Sequence, residues 1–367
     1  MPPDEGFPPR EETAMTPAPI PTGDARHATA ADQLHPAGAG GDELPVGTVD
    51  VVVIGGGAAG LNGALMLARS RRSVVVIDAG SPRNAPAQGI HGLLGNEGTP
   101  PGEYLERGRG ELRQYGGVIV TGEVSTARAT EPAAGGDLRF RVDLADGRGL
   151  TARRLLIASG ARDELPEVPG LAAHWGRGVV HCPYCHGWEV RDQPIGVIAT
   201  RPASLHQALM FRQLSDDVVV FAAGVEIDEE ARERCAARGI RILEEPIEEI
   251  LDGPEGTIAG VRLAGGEVVA RTTLAVATVM SPRTEGLEGL GLRLEDVGGG
   301  MGQKIVSGFA GAAEVPGVWI AGNAADPSAQ VGASAAGGAL AGGHINGMLV
   351  MADAESAVAA QREAAVV

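Results

Sequence analysis

The chain has 367 residues, 44% of them apolar and 21% charged, which is typical of a globular protein with room for two domains. Its net charge of −17 argues against nucleic acid as a partner, because phosphate backbones are bound by clustered lysine and arginine. Three cysteines are too few for a disulfide scaffold, so we expect a reducing, cytoplasmic environment.

Residues 1–47 are rich in proline, alanine, glycine and acidic residues and show no periodicity. Such a segment buries too little apolar surface to offset the entropy of ordering, and we predict a disordered N-terminal tail. It contains no basic segment followed by an apolar core, so no secretory signal is expected. Residues 352–367 are predicted to be a C-terminal tail.

From residue 51 onward, short uninterrupted apolar runs alternate with helical patterns. Such runs are typical of parallel strands that are covered on both faces. Strand–helix–strand units near residues 51 and 195 indicate an α/β fold with two doubly wound, Rossmann-like domains. We predict a first domain formed by residues 48–168 and 285–351, and an inserted second domain at residues 169–284. The strand candidates are residues 51–54, 74–77, 155–158, 195–198, 218–221 and 318–321, and residues 61–71 are the first crossover helix.

Residues 51–68 are uncharged and long enough to suggest a membrane span. Four glycines among the first ten residues, together with Asn62, favour a strand, a turn and a helix instead. We therefore expect no membrane association.

The turn of this unit has the pattern Gly55-x-Gly57-x-x-Gly60, with Ala58 and Ala59 between the last two glycines. Glycines permit a tight turn and a close approach of backbone to a pyrophosphate, which binds at the positive end of the following helix. Asp78 ends the next strand, where a carboxylate accepts hydrogen bonds from a ribose diol. The unit predicts a dinucleotide site but does not distinguish FAD from NAD.

Two later segments favour FAD. Residues 158–162 and 165–170 look like the crossover between the domains of flavin disulfide reductases. Residues 315–323 resemble the second flavin motif of that superfamily, with Asn323 in place of the usual Asp. A helix starting near Gln330 and Val331 and running to residue 346 would direct its N-terminus at the flavin, unless it is simply a close-packed Ala/Gly helix.

Cys182 and Cys185 form a Cys-x-x-Cys pair whose sulfurs meet when the segment turns into a helix. Half of a zinc site and an inert buried pair are the alternatives, but no second such pair exists and we expect no metal. His186 follows directly and can carry a proton near neutral pH, although a surface or capping role is the simpler alternative. Cys235 lies in a charged helical pattern and is interpreted as a bystander.

The second domain lacks the glycine-rich loop that NADPH requires. Residues 199–204 carry side chains where glycines are needed, and Pro202 removes a backbone donor. Residues 222–224 offer no arginine to a 2′-phosphate. We infer that nicotinamide binding has been lost; the alternative is an atypical loop that binds NADPH through Arg201.

Residues 49–350 resemble the thioredoxin-reductase-like dithiol oxidases, FAD enzymes that close disulfides in natural products such as gliotoxin, holomycin and romidepsin. The most specific match is Cys-Pro-Tyr-Cys-His-Gly-Trp-Glu at residues 182–189. The resemblance implies that Cys182 meets the substrate, Cys185 faces the flavin and His186 moves protons. It also implies a homodimer, and a segment at residues 91–96 near the flavin ring. The residues that it implies around FAD are Asp78, Arg83, Asn84, His91, Val124, Asn323, Gln330 and Val331.

The predicted function is therefore FAD-dependent oxidation of a small-molecule dithiol to an intramolecular disulfide, with oxygen as the final acceptor. One alternative is an NAD(P)H- or ferredoxin-dependent reductase acting on a thioredoxin-like protein. A second alternative is a flavin-binding redox sensor without turnover.

Overall fold

The computed structural model describes residues 42–132 and 137–364. The first part of the chain forms β1 (Thr48–Ile54), α1 (Ala58–Arg69), β2 (Val74–Asp78), α2 (Pro101–Gln114), β3 (Val118–Thr121), β4 (Val124–Thr130), β5 (Arg139–Leu144), β6 (Gly149–Ile157) and β7 (Ala161–Glu164). The middle forms β8 (Val179–Val180), α3 (Pro183–His186), β9 (Ile195–Ile198), α4 (Ser204–Phe211), β10 (Val218–Phe221), α5 (Glu229–Ala237), β11 (Arg241–Leu243), β12 (Ile247–Asp252), β13 (Ile258–Leu263), β14 (Val268–Ala270) and β15 (Thr273–Val276). The last part forms β16 (Val279–Pro282), β17 (Leu294–Val297), β18 (Gly302–Ile305), β19 (Val318–Ile320) and α6 (Val331–Ala364).

The first domain is built on a seven-stranded sheet with the order β3-β2-β1-β6-β5-β4, to which β19 adds by pairing with β6. The pairs among β3, β2, β1, β6 and β19 are parallel, and β4 and β5 continue the sheet antiparallel. Val51 and Val53 pack with α1, α2 and α6 on one face. Val52 and Ile54 pack with Phe140 and other residues of the antiparallel strands on the other face. Burial on both faces explains why β1 is an uninterrupted apolar run.

The second domain repeats this arrangement with a parallel five-stranded sheet in the order β11-β10-β9-β15-β8. Val197 and Val220 pack against α4 and against Cys235 of α5. The opposite face, with Phe221, packs against the antiparallel sheet β12-β13-β14. In each domain, helices therefore pack on one face of the parallel strands. Side chains of antiparallel strands pack on the other face, and in the first domain these strands, β4 and β5, also extend the sheet beyond β6.

The chain passes between the two domains through β7 and β16, which are hydrogen-bonded neighbours. They belong to a four-stranded sheet in the order β17-β18-β16-β7. The two segments that connect the domains therefore lie side by side. The sheet that contains them fixes where the chain enters the second domain and where it leaves it.

All six strand candidates are strands, and the first crossover helix begins at Ala58, three residues before the predicted start. Two predictions about the ends of the chain differ from the structure. Helix α6 continues to Ala364 through most of the predicted C-terminal tail. Asp42, assigned to the disordered tail, exchanges hydrogen bonds with Ile119 of β3. Residues 1–41 of that tail lie outside the described residues. Within the described ranges, no helix is long and apolar enough to cross a membrane.

Candidate active site

A cavity of about 400 Å³ lies at the carboxyl ends of β1, β2 and β6, where parallel sheets commonly bind ligands. Helix α3 and the start of α6 form other parts of its wall. All predicted site residues except Gly60 line it, and their contacts with a cofactor or substrate stay a prediction. The lining residues are Gly55, Gly57, Ala58, Ala59, Asp78, Arg83, Asn84, His91, Val124, Cys182, Cys185, His186, Asn323, Gln330 and Val331.

The three glycines of the turn do different things. Gly55 has a φ of +106°, and a Cβ there would clash with the carbonyl oxygen of Ala158. Gly57 precedes α1, and no atom lies within 4 Å of where its Cβ would be, so the backbone there is open to the cavity. Gly60 is buried against the carbonyl oxygen of Gly55, which explains why it packs the turn onto the helix and does not face the cavity.

Asp78 ends β2 beside the glycine turn. Its carboxylate accepts hydrogen bonds from the backbone of Gly80 at 3.0 Å and from Arg109 of α2 at 2.8 Å. A Cβ at Gly56 would clash with this carboxylate, so the middle residue of the Gly-x-Gly pattern also has to be small. The sequence analysis assigned no role to Gly56 or Arg109. Arg109 holds the carboxylate in place at the cavity edge.

The redox pair lies at the start of α3. Cys182 is the residue that caps the helix N-terminus, and Cys185 is one turn later. The backbone N–H groups of Cys185 and His186 both donate to the carbonyl oxygen of Cys182 at 3.2 Å. Both thiols are half-buried, whereas Tyr184 between them is 72% exposed. The turn of helix thus brings the two sulfurs together at the cavity wall, as the spacing predicts.

The two thiols differ in acidity. A hydrogen bond from the Cys185 thiol, helped by the backbone N–H groups of Tyr184 and Cys185, lowers the pKa of Cys182 to about 6. Donating that hydrogen bond, together with burial, raises the pKa of Cys185. Cys182 is therefore the more acidic thiol of the reduced pair.

His186 follows the pair with both ring nitrogens buried and without a hydrogen-bond partner among the described residues. Burial lowers the pKa of this imidazole; the charge of Glu189 opposes the shift and His91 reinforces it. A neutral imidazole that lines the cavity has one nitrogen to accept a proton and one to donate. The arrangement can move a proton between the dithiol region and a bound molecule.

A glycine cradle for a dinucleotide and an acidic dithiol on one cavity define a redox site. Over residues 49–364 the sequence matches the pyridine nucleotide-disulphide oxidoreductase family. The chain belongs to this family. It is an oxidoreductase whose sheets follow the two-domain, Rossmann-type arrangement of the family, as the sequence predicts.

Comparison with similar proteins shows which members of the family this chain resembles. The structure superposes on the crystal structure of HlmI with a TM-score of 0.81 and 42% identity, covering 88% of this chain and 99% of HlmI. The chain is 32% identical to thioredoxin reductase sirT of Leptosphaeria maculans over 83% of its own length and 95% of that protein. A probable thioredoxin reductase of Arthroderma benhamiae is 32% identical over 48% of this chain, which spans only 44% of that protein. This oxidoreductase is therefore thioredoxin-reductase-like, which confirms the resemblance found in the sequence.

Asn323 replaces the usual acidic residue of the second flavin motif. Its amide nitrogen donates to the carbonyl oxygens of Ala329 at 2.9 Å, and of Asp326 and Pro327 at 3.2 Å. A carboxylate only accepts hydrogen bonds, so it could not make these contacts. The amide therefore organises the loop that leads into α6, a role that the sequence analysis did not assign.

The glycine-poor loop of the second domain is filled by its own side chains. The Ser204 hydroxyl accepts the backbone N–H of Thr200 at 3.1 Å. Arg201 donates to the carbonyl oxygens of Gly300 at 2.9 Å and Thr278 at 3.2 Å, and burial lowers its pKa. Arg201, the side chain proposed in the sequence for a phosphate contact, thus donates hydrogen bonds to the protein's own backbone.

A buried polar cluster beside the dithiol was missed in the sequence. Asp163 forms two hydrogen bonds with Arg83, at 2.5 and 2.7 Å, and accepts a third from Thr278 at 2.6 Å. Burial opposes its ionisation, but Arg83 and Thr278 hold the pKa of Asp163 below its usual value. His181 adjoins the cluster, and burial followed by the charge of Arg83 lowers its pKa. The resemblance named Arg83, but no motif marks Asp163, His181 or Thr278.

Proposed function

We propose that this oxidoreductase binds FAD in the cavity and oxidises a small-molecule dithiol to an intramolecular disulfide, with oxygen as the final acceptor. The observation that carries the proposal is that the glycine turn and the Cys182–Cys185 pair line the same cavity. A redox cofactor held at the turn would then lie within the reach of the dithiol. The resemblance to natural-product dithiol oxidases supports a substrate from such a pathway.

The residues around the cavity fit FAD. The open backbone at Gly57 and the N-terminus of α1 suit a pyrophosphate, and the Asp78 carboxylate suits a ribose diol. The N-terminus of α6 at Val331 offers a positive helix end to the electron-accepting ring. Arg83, Asn84, His91, Val124, Asn323 and Gln330 would complete the contacts. When bound, FAD supplies the two-electron acceptor that regenerates the Cys182–Cys185 disulfide and passes the electrons to oxygen as hydrogen peroxide.

The chain's own part is a thiol–disulfide relay. A substrate thiolate attacks the sulfur of Cys182 in the oxidised pair, the bond between the cysteines breaks, and Cys185 leaves as a thiolate. The second substrate thiol, after losing its proton, attacks the substrate sulfur of the mixed disulfide and releases Cys182. The substrate has then lost two electrons and two protons, and the cysteines carry the electrons. The low pKa of Cys182 makes it a good leaving group in this second step.

His186 is the residue proposed to receive the substrate protons. Its ring is next to the dithiol in the sequence, lines the cavity and has a lowered pKa, so it is neutral and able to accept a proton at neutral pH. Glu189 is the charged group that favours the protonated ring.

The alternative is an NAD(P)H-dependent disulfide reductase, favoured by the names of the two relatives called thioredoxin reductases. The loop around Arg201 argues against it, because the Thr200 N–H and one guanidinium nitrogen of Arg201 already donate to groups of the protein.

Anaerobic reduction of the purified yellow holoenzyme distinguishes the two. We expect a small dithiol to bleach the flavin absorbance and air to restore it with formation of hydrogen peroxide, while NADPH has no comparable effect. Fast bleaching by NADPH at micromolar concentration would overturn the oxidase assignment in favour of the reductase. A protein that stays colourless after incubation with FAD would refute both.

A homodimer is proposed on an exposed apolar face of α6. Leu340, Met348 and Met351 recur at helical spacing and are 55%, 46% and 58% exposed. Large exposed side chains on one helix face are typical of an interface, and the occupant proposed is a second copy of this chain. Light scattering should give a dimer that Met348→Glu converts to a monomer.

The few cysteines and the dithiol favour the cytoplasm as the site of action.

A further inference from the structure

Gln330 is the residue immediately before α6, and it faces the redox pair. Its amide nitrogen lies 3.8 Å from the sulfur of Cys182 and 3.8 Å from the sulfur of Cys185. Its backbone carbonyl accepts the N–H of Ser334 at 2.8 Å, so the first turn of the helix fixes the residue. Among the described residues, the two sulfurs are the acceptors within hydrogen-bond reach of this amide.

A primary amide carries two N–H bonds, so one nitrogen can serve two acceptors. Hydrogen bonds to charged acceptors are stronger than those to neutral ones, and an N–H near sulfur therefore favours the thiolate over the thiol. The contact with Gln330 lowers the pKa of both cysteines. The charge of Arg83 also acts on the pair and favours the thiolate of Cys185.

We propose that Gln330 is a catalytic residue that stabilises whichever sulfur of the pair carries the negative charge. This inference rests on the proposed relay and deepens it. In the first step Cys185 leaves with the electron pair of the broken disulfide, and in the second step Cys182 leaves with the electron pair of the mixed disulfide. Both leaving sulfurs are equally distant from the same amide, so one side chain assists both steps.

The test reads the ionisation of the thiols directly. Holoenzyme is reduced with an immobilised phosphine without oxygen, then alkylated with iodoacetamide over a range of pH, and the peptide containing Cys182 and Cys185 is quantified by mass. Gln330→Met keeps the length of the side chain and removes the donors. Gln303→Met is the matched control, because Gln303 is an exposed glutamine bonded to Asp296 on a hairpin.

We expect Gln330→Met to lower the alkylation rate about tenfold at about pH 5, which lies below the Cys182 pKa of about 6, and by a smaller factor near neutral pH; tenfold is the factor expected for loss of one hydrogen bond to a charged group. The rates of variant and wild type should converge at a pH where thiols are fully ionised. Gln330→Glu should lower the rate further, because a carboxylate repels the thiolate. A rate for Gln330→Met within twofold of the wild type at about pH 5 would overturn the proposal.

Gln330→Asn guards against a folding defect, because it keeps the amide but withdraws it from the sulfurs. It should also slow alkylation, and its flavin content and thermal unfolding are measured to separate this effect from a loss of cofactor or of the fold. If the Asn variant is stable and alkylates like the wild type, the proposal is wrong. The assay contains neither oxygen nor NADPH, so failure of the oxidase proposal would leave these profiles unaffected.

Discussion

Replacing Asn323 by Asp should destabilise this protein. Asp is the residue usually found at this position in the flavin motif that residues 315–323 resemble. The amide of Asn323 donates to three carbonyl oxygens in the loop before α6. A carboxylate has no donor, so the two N–H bonds that the three carbonyl oxygens share are lost and a negative charge faces these oxygens. Each net hydrogen bond contributes about 1 kcal/mol, and the partly exposed loop can relax, so we expect a loss of about 1–3 kcal/mol at neutral pH. The melting temperature should fall by a few degrees.

The pH dependence of the stability of Asn323→Asp separates the effect of the added charge from the effect of the lost hydrogen-bond donors. The carbonyl oxygens disfavour ionisation, so the introduced carboxyl group has a higher pKa in the folded than in the unfolded state. The destabilisation is therefore smallest below the unfolded pKa of about 3.9 and grows as the pH rises through the folded pKa. Urea unfolding at several pH values measures it. Asn323→Ala is the control, because it removes the donors without adding charge and its deficit should not change with pH. An Asp variant as stable as the wild type at neutral pH would refute this reading of the loop.

Three further outcomes are expected. Serine at Cys182 or Cys185 should abolish oxygen uptake with a dithiol, because the relay oxidises the substrate with the disulfide that both sulfurs form, whereas Cys235→Ala should retain most of it; an active Cys185 variant would contradict the relay. Gly55→Ala should yield protein with little bound flavin, since its left-handed backbone disfavours a side chain, and a normal ratio of flavin to protein absorbance would speak against the cradle. Arg201→Ala should lower the melting temperature without changing the slow bleaching of the flavin by NADPH. Bleaching by NADPH that is fast in the wild type and lost in the variant would identify a nicotinamide site.

Features that depend on neighbouring residues could be predicted from the sequence. Strands β1 and β9 are apolar at every core position because both of their faces are buried, so each reads as an uninterrupted run. Gly55 could be assigned because a left-handed turn between a strand and a helix has few other solutions. The spacing of Cys182 and Cys185 sufficed because a single helical turn joins them.

Features that depend on distant segments could not be predicted. Gln330 lies 148 residues after Cys182, and only the folding of both domains brings the amide to the sulfur. Asp163 and Thr278 lie on either side of the inserted domain and meet because β7 and β16 pair. The C-terminal part of α6 is almost wholly exposed, so no apolar periodicity marked residues 352–364 as helical. Helical structure there rests on local propensity, which is a weak signal.

The insertion of one domain within the other also constrains the order in which the protein can mature. Strand β19 pairs with β6, yet the whole second domain is synthesised between them. A nascent chain that has completed β15 already carries the Cys182–Cys185 pair but still lacks Asn323, Val331 and α6. The dithiol is thus made before its cofactor site is complete. A flavin bound as proposed would be loaded only after the last segment has been made.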